Sequence, residues 1–173
     1  MILRSIKTQR FNIRSILPTD NLSTYLTWMT SPETYPFIES ASKNFSELQL
    51  IKYLETTLSS PNTLQGGIYT LTNDLHVGNI KFHDINLNER SSLVGFLIGN
   101  KDWQGRGVAK EVFLACSHHL NQEYGIRIFR LGVHKNHEHA IRSYSNMGFR
   151  SESASKHGDT HIIRMIYQFQ SIP

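Results

Sequence analysis

A short glycine-containing segment lies between an apolar run and the pattern of an amphipathic helix. Its residues are Gln104, Gly105, Arg106, Gly107, Val108 and Ala109. Glycines lack the Cβ atoms that would keep a ligand away from the backbone, and the first amides of the following helix have no intrahelical acceptor. Such amides bind phosphate oxygens. The segment predicts a pyrophosphate site, and a tight strand-to-helix turn without a ligand is the alternative.

A second group of residues lies where a later strand pattern ends and another helix pattern begins. Its members are His134, Asn136, Ala140, Tyr144 and Gly148. Ala140 and Tyr144 are four residues apart, so they share one helix face. Gly148 stands where a left-handed helix cap favours glycine. The phenol of Tyr144 is therefore either a functional group on this face or a core aromatic residue packed beside Ala140.

Together these two motifs resemble the GNAT superfamily of acetyl-CoA-dependent N-acetyltransferases. They read Gln-x-x-Gly-x-Ala from Gln104 and Asn-x-x-x-Ala-x-x-x-Tyr-x-x-x-Gly-Phe from Asn136. By motif and element order the resemblance covers about residues 68–168. Segments 12–14, 25–29 and 32–33 are similar to the branch that includes ribosomal-protein N-terminal, polyamine and amino-sugar acetyltransferases.

The resemblance implies acetyl-CoA as cosubstrate and direct attack on it by a primary amine in a ternary complex. Segment 104–109 would hold the pyrophosphate. The strand residues Phe96, Leu97 and Ile98 would pair through their backbone with the pantetheine arm. Gly95 fits the place where a backbone N–H polarises the thioester carbonyl, in a sheet that splays apart to admit the cofactor.

The resemblance also implies roles for single side chains. It places Tyr144 beside the sulfur of coenzyme A, as a stabiliser of the leaving thiolate first and a general acid second. Asn136 either binds the pantetheine arm or caps the helix that follows it. Arg106 and Lys110 are charge partners for the phosphates of coenzyme A, or else solvated surface charges.

The chain departs from this branch at the general base. Many members have a glutamate two residues before the strand glycine, where this chain has Leu93. Because leucine cannot accept a proton, another group must. The candidates are His83, Asp84, Glu89, His134 and a water chain to solvent. We rank His134 first, since a histidine with a pKa near 6.5 is mostly neutral at about pH 7.4, with a solvated turn residue as the alternative.

Composition sets limits on the class of protein. The 173-residue chain has a formal net charge of +4, which suits an anionic ligand such as coenzyme A. Its basic residues are scattered, so nucleic-acid binding is not expected. The chain has no apolar run of the roughly 20 residues that span a membrane, and its start lacks the apolar core of a signal peptide. We expect one domain over residues 1–173, in the cytoplasm and not bound to membranes.

The single cysteine and a group of three histidines are further candidates for a chemical role. Cys116 is the single cysteine, and its place on the apolar helix face favours a small buried residue over a nucleophile. His134, His137 and His139 suggest a metal site, but residues 137 and 139 point to different sides of a helix. No metal is therefore expected.

The periodicity of apolar residues predicts a mixed α/β sheet in the order β-α-α-β-β-β-α-β-α-β-β, with about seven strands and four helices. Strands are predicted at 2–15, 68–72, 77–84, 92–98, 126–133, 149–155 and 161–169. Helices are predicted from Thr19 or Asp20 to Met29, from Ser46 to Leu58, at about 106–122 and at 137–147. In the second of these, Ser46 and Gln49 are spaced as in a capping box, and the apolar stripe consists of Leu48, Ile51, Leu54 and Leu58.

The acceptor is not fixed by the sequence. A protein N-terminus, an amino sugar and a polyamine remain open, with a slight preference for an anionic acceptor. Glu33 and Glu39 in the loop-like segment 30–45, where acceptor specificity could lie, are thin support for a polyamine site. An acyl-CoA sensor without turnover is the alternative function, and a homodimer through the final strands is conceivable.

Overall fold

The structure is a computed structural model that describes residues 3, 5–34, 38, 41–152 and 161–169. Its strands are β1 (Ile6–Lys7), β2 (Phe11–Arg14), β3 (Leu64–Thr70), β4 (His76–Asn86), β5 (Ser91–Leu97), β6 (Ile128–His134), β7 (Arg150–Ser151) and β8 (Ile162–Gln168). Its helices are α1 (Ser23–Met29), α2 (Glu47–Ser59), α3 (Val108–Tyr124) and α4 (Glu138–Met147), with a 3₁₀ turn at Lys101–Trp103. No helix in these ranges is both long and apolar enough to cross a membrane.

The strands of the described chain form one mixed sheet in the order β1-β2-β3-β4-β5-β6-β8-β7. Neighbouring strands are antiparallel except β5 and β6, which run parallel. A parallel neighbour needs a crossover connection, and α3 supplies it. The predicted fold class is confirmed, with eight strands in place of about seven.

Each face of the sheet packs against its own pair of helices. Phe113 of α3 and Phe129 of β6 lie in the core on the side of α3 and α4. Leu50 and Leu54 of α2 pack with Trp28 of α1 on the other side. Within the described residues, the buried aliphatic and phenylalanine side chains of the strands belong to the first core, and Leu97 of β5 is the strand residue that packs against the second.

Cys116 belongs to the first of these cores. Its side chain is 1% exposed, and burial raises the pKa of its thiol to about 12. A thiol with this pKa is almost entirely protonated at neutral pH, so it is a poor nucleophile. Cys116 packs as a small apolar residue, as its place on the helix face predicts.

The single strand predicted at 2–15 is wrong, because the chain turns between β1 and β2. The hydroxyl of Thr8 accepts hydrogen bonds from the amides of Arg10 and Phe11, which closes the turn. Ile6 then pairs with Ile13 in an antiparallel hairpin. Residues 2 and 4 of the predicted strand lie outside the described residues.

The predicted start of the first helix is wrong, and the predicted start of the second helix is confirmed. The cap at Thr19 or Asp20 is wrong, since α1 begins at Ser23 and the Asp20 carboxylate accepts a hydrogen bond from the amide of Leu17. In α2 the reciprocal hydrogen bonds of Ser46 and Gln49 form a capping box, as predicted. Leu48 was expected in the apolar stripe of α2 but is 75% exposed.

The boundary of β3 also differs from the prediction. Gly66 and Gly67 were expected to precede the strand, but both lie inside it. A Cβ on Gly66 would lie 2.6 Å from Cγ2 of Ile13 on the neighbouring strand. These glycines therefore serve close packing within the sheet rather than a turn. At the other end of the chain, residues 153–155 of the predicted final hairpin lie outside the described residues.

Candidate active site

Strands β5 and β6 pair over a short stretch and then separate. The parallel register joins Ser91–Leu93 to Ile128–Arg130 and goes no further. Beyond it β5 stays paired with β4, and β6 with β8. In the described chain, the edge of Val94–Leu97 that faces β6 therefore has no strand partner. This splayed gap leaves backbone groups available to a ligand.

A cavity of about 410 Å³ lies at the gap. Its wall includes residues of β3, β4 and β5, side chains of α1 and α2, and Tyr144 of α4. A Cβ built on Gly95 would meet nothing within 4 Å, so open space lies directly over this strand residue. The cavity thus places an empty volume beside the unpaired edge of β5.

Tyr144 lies across the gap from that edge. Its ring centroid is 5.7 Å from that of Phe96, and Phe149 packs against it at 6.1 Å. Burial raises the pKa of Tyr144 to about 12. The phenol is therefore fully protonated at neutral pH and can donate a hydrogen bond into the cavity.

The glycine segment forms the entry to α3. Gly105 and Gly107 have φ values of 72° and 73°, in the left-handed region that favours glycine. Gly107 is the N-cap, and no side chain caps the helix. The free amides of the first turn can therefore bind an anion. Nothing lies within 4 Å of a Cβ built on Gly105, so the loop is open to a ligand.

Three side chains connect this loop to the first hairpin and to the residue that follows β5. Arg10 donates a hydrogen bond of 3.0 Å to the carbonyl of Arg106 and forms an ion pair of 2.7 Å with Glu111. Gln104 donates a hydrogen bond of 2.8 Å to the carbonyl of Ile98. Arg106 itself is exposed, as is Lys110. Contacts within the protein thus fix the position of the loop.

The family profile of the acetyltransferase (GNAT) domain matches residues 10–150. This range includes the splayed strands, the glycine loop and Tyr144. The chain belongs to the GNAT acetyltransferase family.

A relative identified by sequence agrees with this family. A probable spermine N(1)-acetyltransferase of Bacillus subtilis subsp. natto (strain BEST195) is 34% identical over 70 residues, which are 40% of this chain. The match spans about 45% of that relative's length.

Solved structures of GNAT proteins show the same fold. The ribosomal L7/L12 alpha-N-protein acetyltransferase RimL, in complex with coenzyme A, has a TM-score of 0.82 at 13% identity, with 96% of this chain and 98% of that chain covered. A chimera of the Vibrio cholerae spermidine N-acetyltransferase SpeG and hSSAT has a TM-score of 0.75 at 15% identity, with 91% and 95% covered. At these identities the likeness concerns the fold.

The structure separates the candidate bases. His83 lines the cavity that Tyr144 lines, and its Nδ1 lies 3.3 Å from a carboxylate oxygen of Asp84. Burial lowers the pKa of His83, the Asp84 carboxylate raises it, and the Lys81 cation lowers it, with a net decrease. Asp84 and Glu89 line a different cavity of about 310 Å³. His83 is thus the histidine candidate that the structure brings to the cavity.

His134 and Asn136 lie together at the end of β6. The amide of Asn136 donates a hydrogen bond of 3.3 Å to Nδ1 of His134, whose ring stacks on His161 at 6.0 Å. His134 does not line the described part of the Tyr144 cavity. The N-cap of α4 is His137, without a side-chain cap, so Asn136 does not cap that helix. Roles of His134 as base and Asn136 as pantetheine ligand stay predictions.

Sequence reasoning missed the polar floor of the cavity. Gln65 of β3 and both Asn79 and Lys81 of β4 line it. The signal was present in β4, where Asn79, Lys81 and His83 alternate with the buried Ile80 and Phe82. Such alternation predicts one polar face, but not that a cavity lies over it.

Proposed function

We propose that the protein is an N-acetyltransferase that moves the acetyl group of acetyl-CoA to a primary amine by direct attack in a ternary complex. The observation that carries this proposal is the splayed gap, with the unpaired edge of β5 on one side and Tyr144 on the other. Such a gap gives a thioester and an amine room to meet beside backbone groups that have no strand partner. The proposed acceptor is a protein N-terminus or an amino sugar.

The residues around the splayed gap are suited to bind a thioester of coenzyme A. The open amides at the start of α3 suit its diphosphate, and Phe96, Leu97 and Ile98 are proposed to pair with the pantetheine arm. Space over Gly95 leaves room for the acetyl group. Bound acetyl-CoA supplies an activated carbonyl whose C–S bond breaks as the N–C bond to the amine forms.

Tyr144 is proposed to stabilise the departing thiolate. Its pKa of about 12 lies well above that of a thiol near 8.5, so full proton transfer would be uphill by roughly 5 kcal/mol. A hydrogen bond from the phenol carries no such cost. Tyr144 therefore acts as a donor that remains protonated, and the thiolate takes its proton from solvent.

His83 is proposed to accept the proton that the amine loses. If its Nδ1–H donates to Asp84, its Nε2 carries the free electron pair. Its lowered pKa keeps the ring neutral at physiological pH. A base matters most for an alkylamine with pKa near 10.4, whose deprotonation at about pH 7.4 costs roughly 4 kcal/mol. For an α-amine near pKa 8 the same cost is under about 1 kcal/mol.

The test is thiol release from acetyl-CoA in the presence of a panel of amines, with the acetylated product confirmed by mass spectrometry. We expect release that depends on the amine, and a loss of it in Tyr144→Phe. His83→Gln and His134→Gln, compared side by side, separate the two histidines. Tight coenzyme A binding with no amine-dependent release on a wide panel would favour a sensor and overturn the proposal.

A further inference from the structure

Two buried side chains on the cavity floor each have a polar atom without a partner. Gln65 is 5% exposed and Asn79 is 4% exposed, and both line the cavity. Oε1 of Gln65 and Nδ2 of Asn79 have no hydrogen-bond partner among the described residues. Because buried polar groups are nearly always paired, such a combination of atoms at a cavity points to a ligand that pairs with them.

His76 fixes which atom of Asn79 is free. Its Nε2 lies 3.1 Å from the carbonyl oxygen of Gly78 and 2.8 Å from Oδ1 of Asn79. Since a carbonyl can only accept, Nε2 must carry the hydrogen, and the Asn79 atom that it contacts must be the oxygen. The NH₂ group of Asn79 therefore remains as a donor.

Gln65 presents the complementary atom. Its Nε2 donates a hydrogen bond of 3.1 Å to the hydroxyl of Tyr25. In this orientation of the amide, Oε1 of Gln65 is left as an acceptor. Gln65 and Asn79 lie on the same face of the adjacent strands β3 and β4, and a free acceptor and a free donor on one face match the N–H and C=O of a planar amide.

Lys81 adds a positive charge to the same floor. It stands opposite Gln65 in the β3–β4 register and two residues from Asn79, so all three share one face of the sheet. Its Nζ lies 4.8 Å from the centre of the Tyr53 ring. Among the described residues no carboxylate forms an ion pair with Lys81, and none lines the cavity. Glu39 lies outside the described residues.

We propose that Gln65, Asn79 and Lys81 form a subsite that binds an amide and an anionic group of the acceptor. The acceptor's amide N–H donates to Gln65, its carbonyl accepts from Asn79, and its carboxylate pairs with Lys81. An acidic amino terminus of a peptide and a free acidic dipeptide both carry this chemistry. A polyamine carries neither group and is repelled by Lys81. The inference rests on the proposed function, since it names the acceptor class of the same site.

The experiment measures kcat/KM for amidated dipeptides with a common first residue. Ala-Glu-NH₂ and Ala-Gln-NH₂ differ in charge alone, and spermidine is the polycationic comparison. We expect the acidic dipeptide to be preferred by roughly 10- to 100-fold, the range for a hydrogen bond to a charged group. Lys81→Met should abolish the preference, and Lys81→Arg should retain most of it. Lys7→Met, at an exposed position on β1, is the matched control and should behave as the wild type.

A second experiment tests the proposed contacts of Gln65 and Asn79 with the amide of the acceptor. An ester analogue of Ala-Glu-NH₂, which lacks the amide N–H, should react more slowly in the wild type. In Gln65→Leu the amide and the ester should react alike. Equal kcat/KM for Ala-Glu-NH₂ and a ten-residue peptide with the same terminus points to a small-molecule acceptor, and a preference for the longer peptide points to a protein. Both outcomes support the subsite.

Failure of the subsite is distinguishable from failure of the proposed function. If the enzyme acetylates amines but prefers spermidine, or if Lys81→Met keeps the acidic preference, the subsite is wrong and the transferase stands. If no amine is acetylated, calorimetric binding of Ala-Glu-NH₂ to the enzyme with coenzyme A bound tests the subsite without turnover. No difference in that affinity between wild type and Lys81→Met would overturn it. Lys81→Met is used only if its coenzyme A affinity shows that it folds.

Discussion

The ring of Tyr144 lies 5.7 Å from the ring of Phe96, and this contact spans the gap between α4 and the unpaired edge of β5. The contact places the phenol beside the backbone to which the pantetheine arm is proposed to bind. Because the ring packs against Phe149 as well, removing the hydroxyl alone should leave the packing intact. A Tyr144→Phe substitution therefore tests the role of the hydroxyl without changing the packing of the ring.

Tyr144→Phe should lower kcat by roughly 10- to 100-fold, because the hydrogen bond to the developing thiolate forms mainly in the transition state. Coenzyme A affinity and the thermal midpoint should stay close to wild type. Steady-state kinetics and a thermal melt check this. Tyr124→Phe, near the end of α3, is the matched control. A variant with wild-type kcat would remove Tyr144 from the mechanism.

His83 should set the acid limb of the pH profile. Burial is the main reason that its pKa lies below the ordinary value of 6.5. A base must be neutral to act, so kcat should rise with pH through this lowered pKa and level off above it. In His83→Gln that limb should disappear and kcat should fall at neutral pH. The comparison with His134→Gln is decisive, since a limb that vanishes there instead identifies His134 as the base.

Gly95 and Gly99 should respond to larger side chains in opposite ways. A Cβ on Gly95 points into open space, whereas one on Gly99 would lie 2.0 Å from the Trp28 ring. Gly95→Val should therefore fold normally but block the cavity, with at least a tenfold loss of kcat/KM, the usual order for a misplaced substrate. Gly99→Ala should cost about 1–3 kcal/mol of folding free energy through overpacking.

Chemical denaturation and kinetics on both glycine variants test this pair. If Gly95→Val is fully active, the space over β5 is not where substrates meet. If Gly99→Ala is as stable as the wild type, Trp28 has moved without cost, and its packing does not fix the end of β5.

The sequence predicted those parts of the molecule that local rules determine. Glycines 105 and 107 were identified because they lack a Cβ beside the open amides of a helix start, and the structure adds that both have a positive φ. The capping box of Ser46 and Gln49 follows from the same kind of local rule. The turn between β1 and β2 was missed although Thr8 closes it locally, and Glu111, about a hundred residues away in sequence, adds hydrogen bonds to Thr8 and Arg10 that the local pattern does not indicate.

The cavity floor could not be predicted for a similar reason. Polar alternation in β4 is equally typical of a solvent-facing strand. Helices α1 and α2 pack over that face, bury Asn79 and enclose the cavity that Lys81 and His83 line. Because these helices are separated from β4 in sequence, the pattern of β4 alone does not show whether its polar face is exposed to solvent or lines a site.

Glu111 provides the last prediction, in which stability and ligand affinity move in opposite directions. Its carboxylate accepts hydrogen bonds from Thr8 Oγ1 at 2.7 Å, the Arg10 amide at 3.0 Å and the Arg10 side chain at 2.7 Å. Burial would raise the pKa of Glu111, but these hydrogen bonds outweigh burial and lower it. The lowered pKa stabilises the fold above the ordinary pKa of 4.5, and this stability is lost as the pH falls through the lowered value.

Glu111→Gln should therefore reduce the free energy of unfolding by about 1–2 kcal/mol at pH 7, and the difference from wild type should shrink well below pH 4.5. The same change leaves the Arg10 cation without its carboxylate next to the carbonyl of Arg106 in the anion-binding loop. Coenzyme A should then bind a few-fold more tightly at low ionic strength, with the gain lost in high salt. Urea denaturation and calorimetry measure the two effects. A parallel loss of stability and affinity would show instead that the ion pair acts on the loop through its position rather than its charge.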